Sequence, residues 1–118
     1  MPRIEPALAQ RLELLTGEAA SSCCADYKGD VAALRASASF RTGLARAKAL
    51  GDERRYTTWM LLRRRGEMCA CEIQAALGIT HATVSHHMHV LCEAGLVTCE
   101  KRGKWAYYRP APEAKVFP

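Results

Sequence analysis

The residues of this chain best equipped for chemistry are its six cysteines, four of which fall in two close pairs. Cys69 and Cys71 are separated by one alanine, Cys23 and Cys24 are adjacent, and Cys92 and Cys99 stand alone. Adjacent cysteines make a poor intramolecular disulfide because the short peptide between them resists the geometry, yet both sulfurs can reach one soft ion. The opening MPRIEPALAQ lacks the continuous apolar core of a signal peptide, so a cytoplasmic location is the default. In a reducing cytosol, clustered thiols serve as metal ligands or redox sensors rather than as a disulfide framework. Cys69-Ala70-Cys71 also opens a predicted helix, whose positive end favours the thiolate that metal binding and oxidation both require. Cys92 and Cys99, with no second thiol at ligand spacing, read as small buried hydrophobes.

The elements that must position the second pair lie between Glu67 and Val97. A short helix, Cys71 to Leu77, is predicted to stop at Gly78 and Ile79, and Thr80 starts a second helix that ends at Gly95. Two helices joined by so tight a turn cross steeply, the geometry that presents the second one to a DNA major groove. On that second helix Val84, Met88 and Leu91 form an apolar stripe, with His86, His89 and Glu93 opposite and Thr83 and Ser85 on the flanks. Short polar side chains of this kind read base edges or phosphates, which makes Thr83, Ser85, His86 and His89 the candidate DNA contacts. His87 falls nearer the apolar stripe and is expected to pack. Val97 to Lys101 and Lys104 to Arg109 then read as two strands rich in Val, Thr, Trp and Tyr, with Arg102-Gly103-Lys104 as the turn. The tip of such a hairpin carries Lys101, Arg102 and Lys104, which suit a phosphate backbone.

The remaining chain supports this unit. Pro6 to Thr16 reads as a short amphipathic helix with Leu8, Leu12 and Leu15 on one side, and helices this short need something to pack on. Gly17 to Asp30 reads as a polar connection, a mobile arm that carries Cys23 and Cys24. Val31 to Leu50 is one long helix or two joined ones, with Phe40, Leu44 and Ala47 as a buried stripe. Asp52 is a suitable N-cap for a helix to Arg65 that buries Tyr56, Trp59 and Met60, and Arg63, Arg64 and Arg65 suit its negative end. Seventeen Lys and Arg against twelve Asp and Glu leave a net charge of +5, which favours a polyanionic partner. No apolar run approaches the roughly 20 residues needed to cross a bilayer. At 118 residues the chain suits one core that a dimer interface would help to complete.

Taken together, LARAKALGDERRYTTWMLLRR (residues 44–64), the box EMCACEI (67–73), TVSHHMHVLCEAGLV (83–97) and KRGKWAYYR (101–109) resemble the ArsR/SmtB metal-responsive repressors. The resemblance covers the last two thirds of the chain, in the family's order and spacing. It implies a mainly α fold with a small β-hairpin, a dimeric winged helix-turn-helix. The implied organisation is an N-terminal helix and cysteine arm at 1–30, the DNA-binding domain at 31–110 and a short tail at 111–118. In the family the box supplies metal ligands, and Cys69 and Cys71 occupy the matching places. Gln74 stands where some arsenite sensors carry a third cysteine. The cadmium and lead branch draws further cysteines from an N-terminal arm about 45 residues before the box, where Cys23 and Cys24 stand, and another set of arsenite sensors uses an adjacent N-terminal pair. The helix after the wing that holds zinc in other relatives is effectively absent.

The resemblance thus implies a thiolate site built from Cys23, Cys24, Cys69 and Cys71, bridging two subunits of a homodimer. Four thiolates suit Cd(II), Pb(II) or Zn(II), and three suit As(III). The expected activity is repression: the ion-free dimer binds an inverted repeat in double-stranded operator DNA and the ion releases it. One rival is a repressor that senses oxidants or reactive sulfur through the same cysteines. Another, a thiol enzyme or metal carrier, lacks a Cys-X-X-Cys motif and any nucleophile, base and orienting group that act together.

Overall fold

The computed structural model describes residues 5–16 and 20–114, with side chains described at 5–15 and 26–114. The chain divides into two compact units, Met1–Arg41 and Thr42–Pro118.

In the first unit α1 (Pro6–Thr16) packs against α2 (Ala20–Ala36). Leu12 is half-buried, but the rest of the expected leucine stripe is open, with Leu8 48% and Leu15 84% exposed. The expected polar connection from Gly17 to Asp30 is instead helical from Ala20 onward. Its small residues include several alanines, the strongest helix formers, and a single Gly29 costs only about 1 kcal/mol against them. Ser37 then decides between one helix and two. Its hydroxyl donates to the Leu34 carbonyl (2.7 Å) and accepts from the Phe40 amide (3.2 Å), closing α2 and capping α3 (Ala38–Ala49).

The second unit continues through α4 (Glu53–Arg65), β1 (Met68–Cys69), α5 (Ala70–Leu77), α6 (His81–Glu93), β2 (Val97–Arg102), β3 (Trp105–Pro110) and a 3-10 turn at Pro112–Ala114. Asp52 caps α4 as expected, its carboxylate accepting from the amides of Arg54 (2.9 Å) and Arg55 (3.1 Å). Gly78, at φ 65°, makes the left-handed turn that ends α5, and Thr80 starts α6 by accepting from the Thr83 amide at 3.2 Å. Between β2 and β3 the two-residue turn is Gly103-Lys104, with positive φ confined to Gly103, as the first central position of a II′ hairpin requires.

The core joins Trp59 and Leu62 of α4, Ile73 of α5, Val84, Met88 and Leu91 of α6, and Leu96 and Val97 at the start of the hairpin. Two expectations need correcting. Phe40, Leu44 and Ala47 are exposed, and Ala49 is the buried residue of α3. Of Tyr56, Trp59 and Met60 only Trp59 is buried, because one turn of α4 faces the core and its neighbours flank it. The tail begins inside the core, where Ala111 and Ala114 are buried. The sequence also gave no sign of β1. It pairs with β3 (Met68↔Tyr108, Cys69↔Tyr107), which makes the sheet three-stranded in the order β1-β3-β2.

Candidate DNA interface and thiol site

Helix α6 presents the faces its sequence predicts. Val84, Met88 and Leu91 are fully buried, and Ser85, His86 and His89 are exposed. Thr83 is half-buried and its hydroxyl lies 2.8 Å from that of Thr80, so it is engaged within the turn. His87 packs as expected. Arg55 Nη1 donates to its Nδ1 at 3.2 Å while Arg55 Nε holds the Ala49 carbonyl at 2.6 Å, tying α6 to the entry of α4. Burial first, then Arg55, push the His87 pKa below its ordinary value of 6.5, against the attraction of Asp52. At the other end of α6, Arg46 Nε reaches the Ala94 carbonyl at 3.3 Å, where a cation suits the helix dipole. Nothing in the sequence marked Arg46 or Arg55 for these tasks, because each acts through a carbonyl or ring far along the chain.

The wing sorts its cations by face. Cross-strand partners point the same way, so Lys101 shares the side of Ala106, Cys99 and Tyr108, and Arg102 shares the other with Trp105, Tyr107 and Glu100. Lys101 is exposed and makes no ion pair among the described residues. Lys104 lies over the Trp105 ring at 5.7 Å. Arg102 is already occupied: its Nη2 is 2.7 Å from Glu67 Oε1 and 3.0 Å from Glu100 Oε2, and its guanidinium stacks on Tyr107 at 4.5 Å. The same Glu67 oxygen takes Arg109 Nη2 at 3.0 Å. Arg109 first and Arg102 next hold the Glu67 carboxyl below the usual carboxylate range.

Cys69 and Cys71 are free thiols, the first half-buried and the second exposed. Cys69 occupies the N-cap of α5 and is also the β1 residue paired with Tyr107. The Glu72 carboxylate accepts from the Cys69 amide at 3.0 Å, and that bond leads the causes that hold its pKa down. Two soft sulfurs in the first turn of one helix fit part of a thiophilic ion's shell. Among the described residues no group of three His, Cys, Asp or Glu assembles to complete it. Cys23 and Cys24 fall in the backbone of α2, and their side chains lie outside the described residues.

Cys92 is half-buried against the core, and burial first, then Cys99, push its thiol up to about 11, which suits a packing role. Cys99, expected to be buried, is exposed. It sits opposite Tyr108, whose hydroxyl is pushed up to about 12 by burial and by that thiol. Val97 fills the core from the same strand face, but Cys99 lies two residues farther toward the turn at the exposed tip of the hairpin.

Comparison with known proteins agrees with this geometry. A family model described as bacterial regulatory protein, arsR family, matches residues 58–98. A putative arsenical resistance operon repressor of Halobacterium salinarum is 35% identical over 104 residues, which cover 85% of this chain and 81% of that protein. An arsenic resistance transcriptional regulator of Pseudomonas putida is 39% identical over 66 residues, 56% of this chain and 52% of its own length. Among solved structures, the homodimeric winged helix-turn-helix DNA-binding domain of a possible ArsR-family regulator from Mycobacterium bovis is similar, with a TM-score of 0.60 and 32% identity. That likeness covers 66% of this chain and 71% of the other. The match to three of the curated relatives spans only between 52% and 63% of their length. No helix among the described residues is long and apolar enough to cross a membrane.

Proposed function

The chain belongs to the ArsR family of bacterial regulatory proteins, and from that premise we propose that it is a transcriptional repressor whose grip on operator DNA is broken by a thiophilic ion. The ion-free protein binds as a homodimer to an inverted repeat in double-stranded DNA, each subunit laying α6 in the major groove. Ser85, His86 and His89, with Thr83 at the helix entrance, face the base edges and nearby phosphates, and Lys101, Arg102 and Lys104 extend the contact along the backbone. The effector is held by Cys69 and Cys71, completed by Cys23 and Cys24. The effector is a thiophilic ion, As(III), Cd(II), Pb(II) or Zn(II), a reading supported by relatives named for arsenical and cadmium resistance.

One observation carries the reading. Cys69 is both the N-cap of α5, the helix that leads through Gly78 into α6, and a strand residue paired with the wing at Tyr107. Capture of an ion at that residue acts on both elements that meet DNA, and two-state coupling of this kind is reciprocal. The test is fluorescence anisotropy of the reduced protein on a duplex from its own promoter, titrated in parallel with As(III), Cd(II), Pb(II) and Zn(II). Release by a stoichiometric ion, abolished in Cys69→Ser or Cys71→Ser, is the expected result. Tight binding unmoved by every ion, but lost with peroxide and regained with a reductant, would replace the ion with an oxidant as the signal.

A further inference from the structure

Glu67 has no place in either half of the proposed switch, yet it stands two residues before Cys69 and, among the described residues, makes ion pairs only with the wing. Alternation along β1 places Cys69 on one side of the sheet and buried Met68 on the other, and Glu67, just before the strand, joins the Cys69 side through its ion pairs with Arg102 and Arg109. That side also carries Tyr107, Arg109, Glu100 and Arg102, so the thiol box and the occupied wing cations form one continuous surface. A single carboxylate oxygen there receives two guanidinium nitrogens, from Arg102 at 2.7 Å and Arg109 at 3.0 Å. Arg102 therefore has two competing fates. It stays against the sheet, on Glu67, Glu100 and Tyr107, or it turns outward to a phosphate, which offers a guanidinium the same paired oxygens as a carboxylate.

We propose that Glu67 is the positioning residue that decides between these fates, holding Arg102 away from DNA and so coupling the thiol pair to the wing's grip on the operator. Capture of an ion by Cys69 and Cys71 stiffens β1 against β3, fixes Glu67 over the wing and strengthens its hold on Arg102. Operator DNA, by the same linkage, draws Arg102 off Glu67 and loosens the strand that carries Cys69. The idea rests on the ion-released repressor proposed above and adds a route by which release reaches the wing.

The experiment compares wild type, E67Q, R102Q and E67Q/R102Q on the promoter duplex by anisotropy over a range of salt, with and without As(III) or Cd(II). E67Q keeps the shape of the side chain and removes its charge. It should tighten ion-free binding, steepen the log–log salt slope by up to about 0.9 for each wing as one more phosphate is engaged, and lower the factor by which the ion weakens binding. In the R102Q background the Glu67 change should do none of these. A general gain of positive charge would persist in that background, so a persistent effect overturns the proposal. An E67Q slope and ion factor equal to wild type overturn it as well. If wild type itself is not released by any ion, the ion-sensing reading falls first, and the salt slopes of ion-free E67Q and R102Q still report whether Glu67 restrains Arg102.

Discussion

Lys101→Gln is the substitution for which the wing's geometry gives the sharpest number. Lys101 stands on the core-facing side of the hairpin, across from Ala106, exposed and without an ion pair among the described residues. If it meets a phosphate, binding releases a counterion there, and each such contact contributes about 0.9 to the slope of log affinity against log salt. A homodimer has two wings, so the variant should lose about 1.8 from that slope. Between 50 and 200 mM salt this difference makes the wild-type advantage shrink about tenfold, an effect well outside the error of an anisotropy titration. Arg102→Gln should lose less, because Arg102 begins in ion pairs with Glu67 and Glu100 that DNA must first displace. Parallel salt plots for wild type and Lys101→Gln would refute the assignment of Lys101 to the backbone, whatever the change in affinity at one salt concentration.

Two further outcomes follow from the titrating groups. Burial keeps His87 neutral in the folded protein and its pKa lies below the ordinary 6.5, so the folded state binds fewer protons than the unfolded chain as pH drops. Its contribution to stability is complete above 6.5 and is lost as pH falls toward the lowered value; melting temperatures from pH 7.5 to 5 should show this decline, and His87→Asn should flatten it. Burial against the core pushes the Cys92 thiol up to about 11 and shields it, so iodoacetamide at about pH 8 should label exposed Cys71 and Cys99 well before Cys92, as read by peptide mass spectrometry. Equal labelling of Cys92 and Cys71 would contradict its burial against the core.

Much of the reading unit was legible because its signals are local. Gly78 and Thr80 punctuate the two helices, the Val84, Met88 and Leu91 stripe has helical period, and a glycine turn separates two β-rich runs. Asp52 as a cap belongs to the same class of short-range signal. What escaped the sequence was set at a distance. A two-residue strand shows no alternation, so β1 became visible only when Met68 and Cys69 lay beside Tyr108 and Tyr107. Glu67, Arg46 and Arg55 act on partners more than 30 positions away, with the exception of Arg55 on nearby Ala49. Small residues misled in the other direction, since the alanines and serines of α2 suit a loop by polarity and a helix by propensity. Of the four cysteines that the family resemblance joins in one site, the described side chains bring only Cys69 and Cys71 to the same helix turn.

The stripe of Phe40, Leu44 and Ala47 poses a different problem, because its period was right and its burial was not. Phe40 is 38% and Leu44 44% exposed in the single chain, and Tyr56 and Met60 on α4 are open to a similar degree. One such residue needs no explanation, but a stripe at helical spacing leaves a favourable burial unused, worth about 1.5–3 kcal/mol for each large side chain fully covered. Periodicity reports that a face is apolar; it does not report which molecule covers it. A second copy of the chain would cover it and would also give the paired half-sites that two recognition helices require, about 34 to 36 Å apart. An effector then has two ways to weaken operator binding. A shift of one subunit against the other costs the contacts of a whole half-site together, whereas the hold of Glu67 on Arg102 costs about one phosphate at each wing. The two differ in salt dependence, so the slope measured with the ion bound separates a change of helix spacing from a change confined to the wing.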